Sequence, residues 1–352
     1  MRHTVAGVAL LACCAGEVPA QEAPRSTETY RAAVEKYVAT GDPVAAVKPL
    51  LGWSRDELAA AVKDVINAAD VKRVEAAAML HLEIGTAIVG ISTPSAAGYF
   101  DLGTELLAGL TPSPPGAPAP LPARREEVAR IRSTWLRVAG SAFLSVGDVA
   151  RSRQLLSRAL RALRSAETLT MRGMVDESEG AVYNPDDWDL LTQKARASRE
   201  RVRLLYDAES HYREALKENP GYALAHIRLG RVMFLSGKAK EAQAYLERGI
   251  AAATEPSERY FGAMFMGALQ QAARDYANAR QSFERAVKIA PRSQNAIVAL
   301  ANIELLGGRP DRAQQIAGSY ITSVNANESW WSFKNPTLDT GGMAWLKKRV
   351  VQ

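Results

Sequence analysis

The histidines, the glycines of residues 230–238 and the acidic pairs are the residues that could form a metal, phosphate-binding or catalytic site. Beyond residue 20 the chain has three histidines: His81, His211 and His226. No two of them have metal-ligand spacing on one helix. The glycine spacing of residues 230–238 is wrong for a phosphate-binding loop, and Ala239 replaces the required Ser or Thr. Acidic pairs such as Glu126 and Glu127 begin predicted helices, where the helix dipole accounts for them. We therefore predict no catalytic, metal or cofactor site, and a non-enzymatic protein.

The first twenty residues have the order of a secretory signal. Arg2 precedes an apolar run at residues 5–12, and residues 18–20 offer a cleavage site. The only two cysteines, Cys13 and Cys14, lie inside this segment, so the mature chain would contain no disulfide and no thiol nucleophile. We predict a signal peptide at 1–20 and a periplasmic or secreted protein. The alternative is a lipoprotein acylated at Cys13.

Arginine is concentrated in one segment of the chain. The whole chain has a net charge of +6, whereas residues 124–166 alone carry ten arginines against three acidic residues, a net charge of +7. Four of these arginines share one predicted helix: Arg151, Arg158, Arg161 and Arg164. One interpretation is a solvated helix face, and the other is a contact surface for an anionic polymer or lipid headgroups. Nucleic acid is disfavoured because no aromatic residues alternate with the basic ones.

Small and large residues recur in the chain with a period of 34 residues. A small-large-small-proline spacing occurs twice: Ala208, Tyr212, Ala215 and Pro220, then Ala279, Phe283, Ala286 and Pro291. Ala242 and Ala313 each follow the first member of a set by 34 residues. This period is typical of helix-turn-helix repeats, in which small residues let paired helices approach and large residues fill the space opposite.

These positions resemble the tetratricopeptide repeat (TPR) family. The resemblance is specific at 207–220 and in three repeats, 223–256, 260–293 and 294–327, and it is looser at 27–52 and 133–166. It implies an all-α, TPR-like α-α solenoid of about five to seven helical hairpins. The chain is also similar to exported TPR proteins of Gram-negative bacteria, which implies a periplasmic location and possible peripheral contact with the envelope.

Prolines and aromatic residues mark the predicted segments of the chain. After the signal peptide these segments are helical hairpins at 21–110, a Pro-rich linker at 111–123, a TPR-like hairpin plus loop at 124–187, a TPR array at 188–327 and an aromatic C-terminal cap at 328–352. The loop in the segment 124–187 is predicted at 168–184. Six prolines at 112–122 favour an extended spacer, with a proline-rich recognition ligand as the alternative. Trp330 and Trp331 are interpreted as part of the cap rather than as ligand-stacking residues.

The TPR resemblance also implies a peptide-binding groove. In that family the first helix of each repeat lines the concave face of the array. The corresponding positions give six groove candidates: Ile227, Arg231, Phe234, Phe261, Met264 and Asn302. Most are apolar, so we expect the partner to be a protein or peptide segment that is amphipathic or extended and apolar. The alternative is that some of these side chains only pack against neighbouring helices.

Two functions therefore follow from the sequence. The first is a protein-interaction or scaffolding module that binds a protein segment in the groove. The second is an envelope-surface component that binds an anionic polymer or lipid headgroups through the arginine-rich helix. Salt distinguishes them, because exposed charge is screened at high ionic strength and apolar contacts are not.

Overall fold

A computed structural model describes residues 25–66, 70–89, 92–110, 122–182, 191–291 and 293–321. In these ranges every regular element is helical and there is no strand. The contacts divide the chain into two compact units, Met1–Arg164 and Ser165–Gln352. The predicted signal peptide, residues 111–121 of the predicted linker and the predicted cap lie outside the described residues.

The first unit contains seven described helices. These are α1 (Thr27–Thr40), α2 (Pro43–Val47), α3 (Arg55–Val65), α4 (Val71–Ile88), α5 (Thr93–Gly109), α6 (Pro122–Ser145) and α7 (Val149–Ala162), with a 3₁₀ turn at Lys48–Leu50. Gly41 ends α1 with a φ of 67°, a left-handed conformation that glycine adopts without strain. Asp42 then caps α2 by accepting a hydrogen bond from the backbone N–H of Ala45. Helices α4 and α5 form one hairpin, and α6 and α7 form another.

Trp135 is the largest fully buried side chain among the described residues of the first unit. It lies on α6, is fully buried, and donates a hydrogen bond from its indole Nε1 to the carbonyl oxygen of Ala78 on α4 at 2.8 Å. Phe100 of α5 meets the indole edge-on, with 6.2 Å between ring centroids. Gly103 of α5 lies so close to the indole that a Cβ at this position would collide with it. This one side chain thus joins the two hairpins of the unit.

The second unit contains eight described helices. These are α8 (Ala166–Val182), α9 (Leu191–Glu218), α10 (Ala223–Leu235), α11 (Ala239–Ala252), α12 (Pro256–Ala272), α13 (Tyr276–Ile289), α14 (Gln294–Leu306) and α15 (Pro310–Ile321). Successive helices pair into four hairpins, and the first helix α10 also contacts the first helices α8 and α12 of the neighbouring hairpins. Small residues on the first helices of two hairpins lie against large residues on the second helices. A Cβ at Gly230 would collide with Leu246, and a Cβ at Gly267 would collide with Phe283.

The all-α, helical-hairpin prediction is confirmed, with six hairpins among the described helices. The predicted loop at 168–184 is wrong, because α8 occupies most of it. Ser165 starts this helix by accepting a hydrogen bond from the backbone N–H of Thr168 at 3.3 Å. Gly173 then lets α8 approach the ring of Tyr212, where a Cβ would collide. The apolar residues of this segment have weak helical periodicity, and tertiary packing of its small and polar residues stabilises the helix.

Candidate functional site

The six groove candidates lie on the first helices of three successive hairpins. Ile227, Arg231 and Phe234 belong to α10, Phe261 and Met264 to α12, and Asn302 to α14. We call this set of six residues the first-helix face. Contact between α10 and α12 brings two of the three helices side by side, and a 2.6 Å hydrogen bond between Tyr260 and Ser293 joins α12 to the N-cap of α14.

Four of these six side chains are buried. Ile227 is fully buried, and a Cβ at Gly249 of α11 would lie 2.6 Å from its Cγ1 atom. Arg231, Phe261 and Met264 are each less than 9% exposed. Phe234 and Asn302 are half-buried and therefore reach the surface. The first-helix face is thus built from a packed interior with two accessible side chains.

A charged cluster in the interior holds the first-helix face in place. Glu177 of α8 is fully buried and accepts hydrogen bonds at its Oε1 from Arg231 at 2.5 Å and from Arg228 at 3.2 Å, both on α10. The hydroxyl of Tyr212 on α9 donates to the other carboxylate oxygen. We call Glu177, Tyr212, Arg228 and Arg231 the Glu177 cluster. It connects three helices, and its polar contacts are made away from water.

The Glu177 cluster extends to α12 through aromatic rings. The guanidinium carbon of Arg228 lies 4.3 Å from the ring centroid of Phe261, and that of Arg231 lies 4.8 Å from the centroid of Phe265. The two phenyl rings stack, with 5.8 Å between their centroids. Cation–π contacts of this kind strengthen when water is excluded. Each arginine is therefore held between a carboxylate on one side and an aromatic ring on the other.

Burial shifts the pKa values of two members of the Glu177 cluster, Arg231 and Tyr212. Burial lowers the pKa of Arg231, and the Glu177 carboxylate opposes that shift. Burial raises the pKa of Tyr212 well above its usual range, and the negative charge of Glu177 is the second largest cause of this increase. Tyr212 therefore keeps its proton at neutral pH and serves as a hydrogen-bond donor. This arrangement suits a permanent structural contact, since a general base would need a pKa near neutrality.

The three histidines beyond residue 20 have structural contacts. His81 lies in the first unit with its Nε2 atom 3.5 Å from the Tyr30 hydroxyl, and burial lowers its pKa to about 3. The Nε2 atom of His226 lies 2.9 Å from the carbonyl oxygen of Pro220. His211 places Nδ1 2.8 Å from the carbonyl oxygen of its own helix at Asp207. The described ranges hold no group of three or more His, Cys, Asp or Glu side chains that could bind a metal ion.

The four arginines predicted to form one anionic-contact surface have different surroundings. Arg151 pairs with Asp148 at 3.5 Å and lies 5.4 Å from the ring centroid of Phe143. Arg158 and Arg161 line a cleft between α5, α6 and α7. Arg164 follows the end of α7 and is exposed. Only two of the four therefore share a defined site.

The family model for the tetratricopeptide repeat matches residues 206–264 and 270–335. This part of the chain is a tetratricopeptide repeat array. The match begins within α9, includes α10 and α14, and includes α12 except for residues 265–269. The predicted TPR resemblance is therefore confirmed for this part of the chain.

Several solved structures have a similar fold. PilF of Pseudomonas aeruginosa is 14% identical, over 63% of this chain and 93% of that chain, with a TM-score of 0.44. PilW, a type IV pilus biogenesis factor, is 14% identical over 62% and 91%, with a TM-score of 0.42. A TPR protein of Thermus thermophilus is 19% identical over 65% and 99%, with a TM-score of 0.41. At this level of identity the likeness concerns the fold alone. No curated protein sequence matches the chain.

Sequence reasoning missed Glu177, Tyr212 and Arg228 as partners of the TPR array's first-helix face. Two spacings in the sequence could have indicated the contact. Arg228 and Arg231 are three residues apart on one helix, and Phe261 and Phe265 are four residues apart on another. Glu177 gave no such signal, because it lies in the segment predicted to be a loop. Within the part of the chain that the structure describes, no helix combines the length and apolarity needed to cross a membrane.

Proposed function

We propose that the TPR array binds a segment of a partner protein along its first-helix face, and that the chain acts as a scaffold without catalytic activity. Tetratricopeptide repeats generally mediate protein–protein interaction. The observation that supports this use of the array is that α10 contacts both α8 and α12. Because these helices form one layer, their side chains offer a face that continues from repeat to repeat.

Phe234 and Asn302 are the residues that would contact the partner directly, because they are the half-buried members of the face. Gln271 and Leu305 are also half-buried and occupy the position in α12 and α14 that Phe234 occupies in α10. This strip has two apolar side chains and two amides. An extended or amphipathic segment with apolar anchors and a few backbone hydrogen bonds would match it. The buried members of the face support the strip from within.

Site-specific photocrosslinking tests this proposal. A benzoylphenylalanine is placed at position 234 or 302, and matched controls carry it at 243 or 247, which are exposed on the second helix α11. We expect one discrete protein adduct from 234 and 302, and none from 243 and 247, in cells that produce the full chain. The adduct should persist in about 0.5 M salt, where exposed charges are screened.

Once the crosslinked partner is identified, alanine substitutions test which residues contribute to its binding. We expect Phe234→Ala with Asn302→Ala to weaken binding of the identified partner by about tenfold or more, and Gln243→Ala with Glu247→Ala to leave it unchanged. Equal crosslinking from all four positions, or a partner that is lost at high salt, would contradict binding along the first-helix face.

We further propose that the protein is exported to the periplasm or the medium. The support is the sequence of residues 1–20, with a basic start, an apolar run and a cleavage site. We expect the intact mass of the protein purified from its native cells to correspond to a chain that begins at Gln21. A mass that includes Met1 contradicts export by cleavage, and a diacylglycerol adduct on Cys13 identifies a lipoprotein instead.

A further inference from the structure

The first unit contains an open cleft of about 370 Å³ between α5, α6 and α7. Leu107, Leu136 and Ala162 contribute apolar surface to its wall. Three arginines complete the wall: Arg132, Arg158 and Arg161. Every residue that lines the cleft is described by the structure, and none of them is acidic. The cleft is therefore both apolar and positively charged, and its volume is in the range of small-molecule sites.

Arg132 is built into the wall of the cleft. Its Nε donates to the carbonyl oxygen of Leu107 at 2.9 Å, and its Nη2 donates to that of Leu110 at 2.7 Å. Both carbonyls lie at the end of α5, and that of Leu107 also accepts a hydrogen bond from the backbone N–H of Leu110 at 3.3 Å. The hydrogen bonds fix the guanidinium in position. Its charge stays at the cleft whether or not anything is bound there.

Arg158 and Arg161 lie three residues apart near the end of α7, so both side chains point to the same side of the helix. Neither makes an ion pair or a hydrogen bond with any residue in the described part of the chain. Arg151, on the same helix, already pairs with Asp148. The two guanidiniums at the cleft are therefore available to a ligand, whereas that of Arg151 is engaged.

We propose that this cleft binds a small amphiphilic carboxylate, with its carboxylate on Arg158 and Arg161 and its apolar chain against Leu107 and Leu136. The planar guanidinium matches a carboxylate in bidentate geometry. A bare inorganic anion would leave the apolar wall unused. A long polyanion would engage the whole helix, Arg151 included, and would have no need of a cleft.

Isothermal titration of the full chain with octanoate tests the proposal. We expect saturable binding with one site per chain. Arg158→Gln or Arg161→Gln should each raise the dissociation constant by about tenfold, because each removes a charge-assisted hydrogen bond. Ala162→Phe, which places a phenyl ring in the cleft, should also weaken binding. Arg151→Gln is the matched control on the same helix and should leave the dissociation constant unchanged. Circular dichroism confirms that each variant is folded.

Three further titrations separate the contributions of charge and apolar surface. Acetate and inorganic phosphate carry the charge without the chain, and 1-octanol carries the chain without the charge. We expect each of them to bind at least about tenfold more weakly than octanoate. Equal binding of phosphate and octanoate, or of octanol and octanoate, overturns the proposal. A loss with Arg151→Gln as large as that with Arg158→Gln also overturns it, in favour of a diffuse basic surface.

Discussion

Glu177→Ala is expected to destabilise the second unit by about 3–5 kcal/mol, because it removes a buried carboxylate that two arginines contact. The buried Tyr212 hydroxyl loses its acceptor in the same variant. Hydrogen exchange of the peptides from α8, α9 and α10 measures the loss locally, and urea unfolding followed by circular dichroism measures it for the chain.

Two further variants serve as controls for the loss of stability expected from Glu177→Ala. Glu218→Ala removes an exposed carboxylate at the end of α9 and should change stability by less than about 0.5 kcal/mol. Glu177→Leu combined with Arg228→Met and Arg231→Met replaces the charges with apolar groups and should recover most of the loss. A Glu177→Ala protein with wild-type exchange and wild-type unfolding would show that the Glu177 cluster contributes nothing to stability.

Trp135→Ala is expected to destabilise the first unit by about 3–5 kcal/mol. The indole is fully buried between the two hairpins, and its removal leaves a cavity and deletes the hydrogen bond to Ala78. Hydrogen exchange of α4, α5 and α6 should rise in this variant. Val38→Ala, at a side chain that is 46% exposed on α1, is the control and should have little effect.

A double-mutant cycle with Gly103 tests the same contact from the other side. Gly103→Ala alone should be destabilising, because its Cβ would collide with the indole. In the Trp135→Ala background the added methyl group has room, so Gly103→Ala should cost little there. Additive effects of the two substitutions would contradict direct packing of Trp135 on Gly103.

Sequence predicted the helical hairpins well because their packing depends on a few residues at a fixed period. Within the α10–α11 and α12–α13 hairpins, Gly230 lies against Leu246 and Gly267 lies against Phe283, which is the small-against-large packing that such repeats require. Sequence predicted the first-helix face less well. The position of a residue in a helix tells which face of the helix its side chain lies on. It does not tell how far a side chain such as Phe261 is buried, because burial depends on the residues that cover it.

The Glu177 cluster shows a different limit of sequence reasoning. Glutamate and arginine are mostly exposed in proteins, so residue type favours the surface for Glu177 and Arg228. Their burial depends on helices distant in sequence meeting in space, as Glu177 and Arg228 do at a separation of 51 residues. The cleft in the first unit depends in the same way on three helices. Arg158 and Arg161 were selected from charge alone, but Arg132 was not, and charge could not distinguish these two arginines from Arg151, which pairs with Asp148.

The Glu177 cluster has a consequence for how the TPR array loses its structure. Repeats that touch only their neighbours can open one at a time from an end, like links of a one-dimensional chain. Here one carboxylate and the rings beside its arginines span α8, α9, α10 and α12, so three hairpins share one set of contacts. These three hairpins should open together or not at all. Gradual fraying would then be confined to the α14–α15 end of the described array.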